Sequence, residues 1–248
     1  MNVRTEIAYG MFTDGCTALC WALKDGNTFL AQNWDWRNEQ AENLIHLIIE
    51  QPEKPTIDMI TEAGIIGKIG QNSSGIGVCL NAIRARGVDF NKLPCHLALR
   101  TCLESRSAPA AIEELQKSGV ASACHILVAD ADVGGTGLEC SHLDIKSVMP
   151  SDRGVVTHTN HFLKEHADVN EVCDLPDTIA RLRRINYLVG GCKDNPSMDD
   201  IANMLKDEDN YPTSINRAPT KDSTVETLFS IVMNLTKKES RVKFGRPS

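Results

Sequence analysis

The sequence has no long apolar segment. No run in its 248 residues approaches the ~20 consecutive apolar residues of a membrane-spanning helix. The first fifteen residues, MNVRTEIAYGMFTDG, also lack the apolar core of a secretory signal. We therefore expect no membrane partner and an intracellular, cytoplasmic location.

The sequence also lacks an excess of positive charge. Its 26 Lys and Arg residues are outnumbered by 33 Asp and Glu residues, which gives a formal net charge of −7. Proteins that bind nucleic acid ordinarily carry a basic patch or stripe. The short basic stretch KKESRVKFGR is most simply the solvated edge of a hairpin. We expect no nucleic-acid partner.

Motifs that bind metals or nucleotides are missing as well. The sequence contains neither H-E-x-x-H nor a C-x-x-C pair. His158 and His161 would point to opposite faces of a strand, which makes joint ligation awkward. The glycines from Gly64 to Gly77 fit neither the P-loop nor the dinucleotide-binding pattern and are better explained by turns and close strand contacts. We expect no metal and no cofactor.

Nine cysteines are present, at irregular positions. An odd number without a secretion signal argues against a disulfide framework. Cys79, Cys102 and Cys124 lie in apolar runs and are most simply core thiols. Cys16 differs from them because it directly follows a glycine, Gly15, and precedes a strand-like run.

Strand patterns come first, helical patterns follow, and both then recur. CTALCWAL and NTFLAQNWDW are joined by Asp25-Gly26, which is a hairpin signal. Helical spacing appears in LPCHLALRTCLES, SAPAAIEELQKSG, DTIARLRRINYLVGG and SMDDIANMLKDED, the last with a cap-like Ser197-x-x-Asp200. The chain does not alternate as regular βαβ units and has no linker or repeat. It predicts one α+β domain over residues 1–248.

A cysteine can become a catalytic N-terminus when the chain is cut directly before it. The new α-amine, with a pKa near ~8, would lie beside a thiol with a pKa near ~8.5, so each can pass a proton to the other near neutrality. Gly15 would let the backbone adopt a strained geometry at the scissile bond. A Gly-Cys pair is common, so these residues alone leave Cys16 open as a nucleophile or a core thiol.

An ordered set of segments carries a family resemblance. They are NVRTEIAYG, DGCT, AQNWDW, ENLIHL, TEAGIIGKIGQNSSGIGVCLNA, HLALRTCLES, THTNH, DEDNYPTSINRA and KFGRP. Through them the chain resembles the fungal acyl-CoA:isopenicillin N acyltransferases (penicillin acyltransferases), which are cysteine N-terminal nucleophile (Ntn) hydrolases classed with the C45 peptidases. The resemblance extends from Asn2 to Pro247.

The resemblance implies a fold and a maturation step. The fold would be a four-layer αββα sandwich of two antiparallel sheets with helices outside. The chain would be made as an inactive precursor that cuts itself at Gly15–Cys16. Residues 1–15 would form a short α-fragment that remains as a heterodimer partner, and residues 16–248 would form the β-chain.

The resemblance also implies a catalytic set. Cys16 would be the nucleophile with its own α-amine as base, and Asp35 would orient that amine and thiol. Asn160 would supply the oxyanion-hole amide, and Arg217 would complete the charge network with Asp35. Two serines match positions that the family has near the site, as supporting or purely structural hydroxyls: Ser141 and Ser214. Trp34 and Trp36 would line an acyl pocket or belong to the core, and the two histidines would be supporting or surface residues.

The implied activity is acyl transfer or amide hydrolysis on a small-molecule amide or thioester. The substrate would be an isopenicillin N-like side-chain amide, or acyl-CoA as co-substrate with 6-aminopenicillanic acid. The alternatives are an N-acyl amide hydrolase that uses no CoA, and an inactive, unprocessed paralogue or fragment. The resemblance would also allow a peroxisomal location, but the chain ends in FGRPS and has no SKL-type signal.

Overall fold

Twelve strands and five α-helices make up the described part of the chain. The computed structural model describes residues 1–8, 10, 15–172 and 177–248. The strands are β1 Gly15–Ala22, β2 Thr28–Arg37, β3 Leu44–Ile49, β4 Ile57–Glu62, β5 Ile69–Asn72, β6 Ile76–Ala82, β7 Cys124–Asp130, β8 Gly134–Cys140, β9 Ile145–Val148, β10 Val155–His158, β11 Val225–Asn234 and β12 Glu239–Phe244. The helices are α1 Arg4–Ile7, α2 Cys95–Glu104, α3 Ala108–Ser118, α4 Asp177–Gly191 and α5 Met198–Leu205, with a 3-10 helix at Asn38–Asn43.

The strands form two antiparallel sheets. One has five strands in the order β10-β1-β2-β11-β12, and the other has seven in the order β3-β4-β5-β6-β7-β8-β9. The first two strands are joined at Asp25-Gly26, where Gly26 has a φ of 88°. The hairpin prediction is therefore confirmed. The basic C-terminal stretch falls on β12, a largely exposed edge strand, as expected.

The two faces of β1 pack against different layers. Because side chains alternate along a strand, Ala18 and Cys20 point toward the seven-stranded sheet, while Leu19 and Trp21 point toward the helices. All four are buried. This double burial explains why the segment reads as a nearly continuous apolar run.

The helices cover the outer faces of both sheets. Helices α2 and α3 pack on the seven-stranded sheet, and α4 and α5 pack on the five-stranded sheet. Ser197 and Asp200 form a complete capping box at the start of α5, as the sequence predicts. The layers follow the order helix, sheet, sheet, helix, which confirms the predicted αββα sandwich.

The glycine-rich segment agrees with its sequence prediction, whereas the strand at the histidines differs from its prediction in length. The glycine-rich segment is confirmed as turns and close contacts: Gly64 has a φ of 93°, and a Cβ at Gly67 would lie 2.0 Å from the His96 carbonyl oxygen of α2. The strand expected to carry both histidines is shorter than predicted. It ends at His158, so His161 lies on the loop that follows and the opposite-face argument does not apply to it.

The core thiols are confirmed as such. Cys79, Cys102 and Cys124 are all buried between a sheet and its neighbouring layer. Burial raises the pKa of the Cys102 thiol to about 12, which keeps it protonated near neutrality. Within the described ranges, no helix is both long and apolar enough to cross a membrane.

Gln32 joins the two sheets through their shared interior. It is fully buried, its Nε2 donates to the Leu80 carbonyl, and its Oε1 accepts from the Leu80 N–H at 3.0 Å. Gln32→Leu would leave both backbone groups of Leu80 without these partners. We expect a loss of about 1–3 kcal/mol in the free energy of unfolding, measured by urea denaturation.

Gln116→Leu is the matched control for this substitution, because Gln116 is exposed on α3. Its effect should stay within about 0.5 kcal/mol. Equal effects of the two substitutions would contradict the role given to Gln32.

Candidate active site

The backbone N–H and the backbone carbonyl of Cys16 are each held by a side chain. Cys16 lies on β1 opposite Trp34 of β2, and its side chain is buried between the sheets. Its N–H donates to Asn160 Oδ1 at 2.9 Å. Its carbonyl accepts from Arg181 Nη1 at 2.5 Å. Asn160 therefore holds the peptide bond before Cys16, and Arg181 holds the peptide bond after it.

Asn160 is locked by four hydrogen bonds on the loop after β10. Its N–H donates to Thr178 Oγ1 at 2.7 Å, and its Nδ2 donates to the Ala82 carbonyl at 3.0 Å. Its Oδ1 accepts from the Cys16 N–H and from Arg181 Nη2, each at 2.9 Å. The acceptor roles identify Oδ1, so the amide orientation follows from its partners. Asn160 thus links the Cys16 backbone to the end of β6.

Two carboxylates and two guanidinium groups alternate beside Gly15. Asp35 Oδ2 lies 3.5 Å from Arg217 Nε, and Arg217 Nη2 pairs closely with Asp177. Arg181 Nε lies 3.0 Å from the same Asp177 oxygen. All four side chains are at most one-tenth exposed. Two positive and two negative charges balance, so no buried charge is stranded.

Asp35 is the most deeply buried of these groups. Burial raises the pKa of its carboxyl above the usual value of 3.8, against the opposing influence of Arg217 and Arg181. Thr227 Oγ1 donates to Asp35 Oδ1 at 2.8 Å and also lowers the pKa. The net direction is upward, so Asp35 takes up a proton more readily than an exposed aspartate.

The position of Gly15 is fitted to this charge network. Gly15 pairs with Asp35 across β1 and β2. A Cβ on Gly15 would lie 2.8 Å from Asp35 Oδ2 and 3.0 Å from Arg217 Nε. Only a residue without a side chain lets the pair approach the backbone this closely.

The structure brings together four of the predicted site residues: Cys16, Asp35, Asn160 and Arg217. It places the two serines elsewhere in local turns. Ser141 Oγ donates to Asp144 at 2.7 Å, and Ser214 Oγ donates to the Asn216 carbonyl at 2.7 Å. In the described ranges, neither hydroxyl hydrogen-bonds to any of the four site residues.

Sequence reasoning missed three residues of the site. Arg181 binds the Cys16 carbonyl, Asp177 lies between the two arginines, and Thr178 holds the Asn160 backbone. All three lie in the first two turns of α4. The Asp177-x-x-x-Arg181 spacing predicts a helical ion pair, but nothing in the sequence shows that the pair faces β1.

The structure bears on two alternatives left open by the sequence: pocket or core for the two tryptophans, and supporting or surface residue for the two histidines. Trp34 and Trp36 both belong to the core between the sheets, with ring centroids 6.2 Å apart. His158 is fully buried and its Nε2 lies 2.8 Å from Glu139 Oε1, so it is a supporting residue and the surface alternative is wrong for it. His161 is partly buried, and its Nδ1 lies 3.0 Å from Thr178 Oγ1.

The family model for acyl-coenzyme A:6-aminopenicillanic acid acyl-transferases matches residues 21–248. The chain belongs to this acyltransferase family. The acyl-coenzyme A:6-aminopenicillanic-acid-acyltransferase 40 kDa form of Emericella nidulans is 41% identical over 253 aligned residues, which span all of this chain and 70% of that protein. The family resemblance read from the sequence is confirmed, and the chain is a member of an enzyme family.

Solved structures of other acyl-cleaving enzymes share the fold of this acyltransferase. An N-acylethanolamine-hydrolyzing acid amidase ortholog from Caenorhabditis elegans has a TM-score of 0.67 at 15% identity, covering 92% of this chain and 100% of its own. A mutant conjugated bile acid hydrolase from Clostridium perfringens has a TM-score of 0.64 at 13% identity, covering 92% of this chain and 89% of its own. Penicillin V acylase from Agrobacterium tumefaciens has a TM-score of 0.61 at 10% identity, covering 92% of this chain and 83% of its own. At these identities the likeness establishes the Ntn-hydrolase fold alone.

The raised pKa of Asp35 predicts how the effect of removing its carboxyl on the free energy of unfolding depends on pH. A carboxyl whose folded pKa is raised stabilises the fold below its unfolded pKa and loses that contribution as pH rises through the folded pKa. Asp35→Asn in this acyltransferase has no such loss. The free energy of unfolding of Asp35→Asn, minus that of the unsubstituted chain, should therefore increase from about pH 4 toward neutrality.

Urea denaturation at several pH values measures this difference directly. A difference that stays flat or falls with rising pH would contradict the burial argument. It would mean that Arg217 and Arg181 outweigh desolvation at Asp35.

Proposed function

We propose that this chain is an autoprocessing acyltransferase whose nucleophile is Cys16, exposed as an N-terminus by cleavage at Gly15–Cys16. One observation carries the proposal. The backbone of Cys16 is bonded by Asn160 and Arg181, while Gly15 fits against the Asp35–Arg217 pair.

Cleavage follows from attack of the Cys16 thiol on the Gly15 carbonyl carbon. A C–S bond forms, the C–N bond of the Gly15–Cys16 peptide breaks, and the thiol proton ends on the Cys16 nitrogen. Water then hydrolyses the thioester, leaving a carboxylate on Gly15 and a thiol with an α-amine on Cys16. Asp35 is suited to accept a proton during these steps because burial raises its pKa.

The processed chain would use the same groups on an external substrate. The α-amine of Cys16 removes the thiol proton, and the thiolate attacks an amide or thioester carbonyl to give an acyl-cysteine. An amide NH₂ has two hydrogens, so the Asn160 Nδ2 that donates to Ala82 can donate its other hydrogen to the oxyanion. One such donor contributes about 2.7–4 kcal/mol to the barrier reduction. An amine or water then takes the acyl group.

The substrate class comes from the family and its relative. We propose acyl-CoA as co-substrate and a 6-aminopenicillanic acid-type amine as acceptor, or an isopenicillin N-like amide as acyl source. The proposal requires no cofactor, because the α-amine and the thiol supply the acid–base and nucleophilic groups. The substrate proposal is supported by the Emericella nidulans relative, which is an acyl-coenzyme A:6-aminopenicillanic-acid-acyltransferase.

The fragment produced by the cut would remain bound to the rest of the chain. Asn2 bonds to the Gly64 carbonyl at 3.0 Å, and Arg4 lies 3.4 Å from the buried Glu62. Cleavage at Gly15 breaks none of these contacts. The division into residues 1–15 and 16–248 stays a prediction, and residues 9 and 11–14 of the fragment lie outside the described ranges.

Intact mass of the purified chain tests processing. We expect a species that begins at Cys16 and its absence in Cys16→Ala. The matched control is Cys192→Ala, because Cys192 is a partly exposed thiol on the loop after α4. It should be cut like the unsubstituted chain. Active protein that remains uncut would contradict the mechanism, and an uncut, inactive chain would favour the non-catalytic alternative.

Gly15→Ala should slow the cut without unfolding the chain. The added methyl group would meet Asp35 and Arg217 and push them from the scissile bond. We expect a loss of at least ~10-fold in the rate of appearance of the cut chain, since misplacement near a reacting group is costly. Gly190→Ala on α4 is the control, because a Cβ there meets no atom within 4 Å. Equal cleavage rates would contradict the role of Gly15.

An acyl-donor panel separates transfer from hydrolysis. The processed chain is supplied with acyl-CoA thioesters or with N-acyl amides, each with and without an amine acceptor. Transfer from the thioester to the amine supports the acyltransferase, whereas hydrolysis of amides with no use of thioesters favours the CoA-independent amidase.

A further inference from the structure

A buried carboxylate collects hydrogen bonds from the loop that carries Asn160. Glu139 lies on β8 and is fully buried. Its Oε1 accepts from the Leu163 N–H at 2.5 Å and lies 2.8 Å from His158 Nε2, and its Oε2 accepts from the Lys164 N–H at 2.9 Å. These partners come from both sides of Asn160 in the sequence, so Glu139 holds the loop before and after the amide.

The Glu139 carboxyl is ionised near neutral pH. Burial alone would raise its pKa, but hydrogen bonds from His158 and from two backbone N–H groups hold the pKa below the usual value of 4.5. A buried carboxylate is costly without a positive partner. His166 Nε2 lies 3.5 Å away, and its other ring nitrogen lies 2.5 Å from Asp144 Oδ1. The nearer ring, that of His158, is therefore the direct partner of Glu139.

The ring of His158 supplies the positive charge. Its Nε2 faces the Glu139 carboxylate, and its Nδ1 lies 2.9 Å from the Thr159 carbonyl oxygen. Both neighbours only accept hydrogen bonds, so each ring nitrogen has to donate one. A neutral imidazole has a single N–H and would leave one contact between two acceptors. The two contacts therefore identify His158 as an imidazolium that forms a buried ion pair with Glu139.

A neutral histidine stacks on this ring. The ring centroids of His125 and His158 lie 3.6 Å apart, with an interplanar angle of 9°. His125 Nδ1 lies 2.9 Å from Asn81 Oδ1, and its Nε2 has no hydrogen-bond partner among the described residues. Burial, together with the nearby His158, holds the pKa of His125 well below 6.5. His125 therefore packs against the imidazolium without adding a second charge.

The ion pair lies on the side of the sheet to which the Cys16 thiol points. His158 pairs with Ala18 across β10 and β1. Ala18 is two residues from Cys16, so these side chains share one face of the sheet. Asn160 follows two residues after His158 and accepts from the Cys16 N–H. The segment between His158 and Leu163 is short, so a shift at either anchor would displace the Asn160 amide.

We propose that the Glu139–His158 ion pair positions the Asn160 amide for the oxyanion. This inference rests on the proposed function, which gives Asn160 that role. In the described part of the chain, the contacts of the Glu139 carboxylate run to the loop and its histidines rather than to Cys16. Glu139 is therefore a positioning residue, and its effect on the reaction passes through Asn160.

NMR spectroscopy of the histidine ring nitrogens tests the ion pair without any need for cleavage. In the full chain with Cys16→Ala and isotope-labelled histidine, His158 should carry a proton on both ring nitrogens near neutral pH, and His125 on one. The His158 signals are identified by their absence in His158→Gln. A His158 ring with a single proton would overturn the ion pair. This measurement needs no change at Glu139, so it decides the question even where Glu139→Gln does not fold.

The rate of the cut tests whether Glu139 acts through Asn160. Glu139→Gln should slow the appearance of the cut chain at least ~10-fold, because the amide loses its position at the oxyanion. In a chain that already carries Asn160→Ala, the same substitution should change the rate less than about twofold, since the effects of coupled residues do not add. A loss of equal size in both backgrounds is what a purely structural role produces, and it would overturn the proposal.

The Tm decides the same question where Asn160→Ala stops the cut entirely. Glu139→Gln and Asn160→Ala are then compared alone and together in the uncut Cys16→Ala chain. The loss of Tm from the pair should be smaller than the sum of the separate losses. A loss equal to that sum would contradict the coupling.

Glu165→Gln is the matched control for the substitution at Glu139, because Glu165 is exposed on the same loop. It should be cut at the rate of the unsubstituted chain. A slowing as large as that of Glu139→Gln would show that any change of charge on the loop has this effect, and the assignment to Glu139 would be wrong.

The outcomes separate this inference from the proposed function. An unsubstituted chain that neither cuts itself nor turns over would refute the proposed function, whatever the protonation of His158. A chain that cuts itself but contains a neutral His158, or that shows equal losses with and without Asn160, would refute this inference alone.

Discussion

The alternating chain of buried charges beside Gly15 is the constraint on which the site depends. Asp35, Arg217, Asp177 and Arg181 balance one another only when β2, the loop before β11 and the start of α4 meet at one place. Moving any of these elements would strand a charge in the interior. Arg181, at the end of this network, donates to Asn160 Oδ1, which also accepts from the Cys16 N–H, so the charge balance also helps to hold the bond proposed to break.

The sandwich supplies the geometry for this constraint. Alternation along β2 sends Trp34 into the space between the sheets and Asp35 toward the helices. Cys16 and Gly15 divide in the same way on β1. The thiol therefore lies on the side that faces the seven-stranded sheet, while the charges that hold its backbone lie on the helical side. One strand pair thus separates the proposed nucleophile from the groups that hold its backbone.

The sequence predicts more of the fold than of the site. Apolar periodicity, the Asp25-Gly26 turn and the Ser197 cap are local signals, and each corresponds to an observed element. Cys16 and Asp35 were predicted as site residues through family segments, because a Gly-Cys pair or a buried aspartate has no local signature of catalysis. Arg181 was missed because its role depends on packing between α4 and β1, which lie far apart in the chain. Long-range partners of this kind are decided by tertiary structure.

We propose that Cys16 is the residue that carries the acyl group, and that its backbone and charge network are in place before cleavage. Mass spectrometry after acid quench tests this directly, with an acyl-CoA thioester supplied and no amine acceptor present. The account predicts a chain beginning at Cys16 that is heavier by one acyl group, with the added mass on the peptide that starts at Cys16. Turnover without that adduct, or an adduct on another residue, would contradict it.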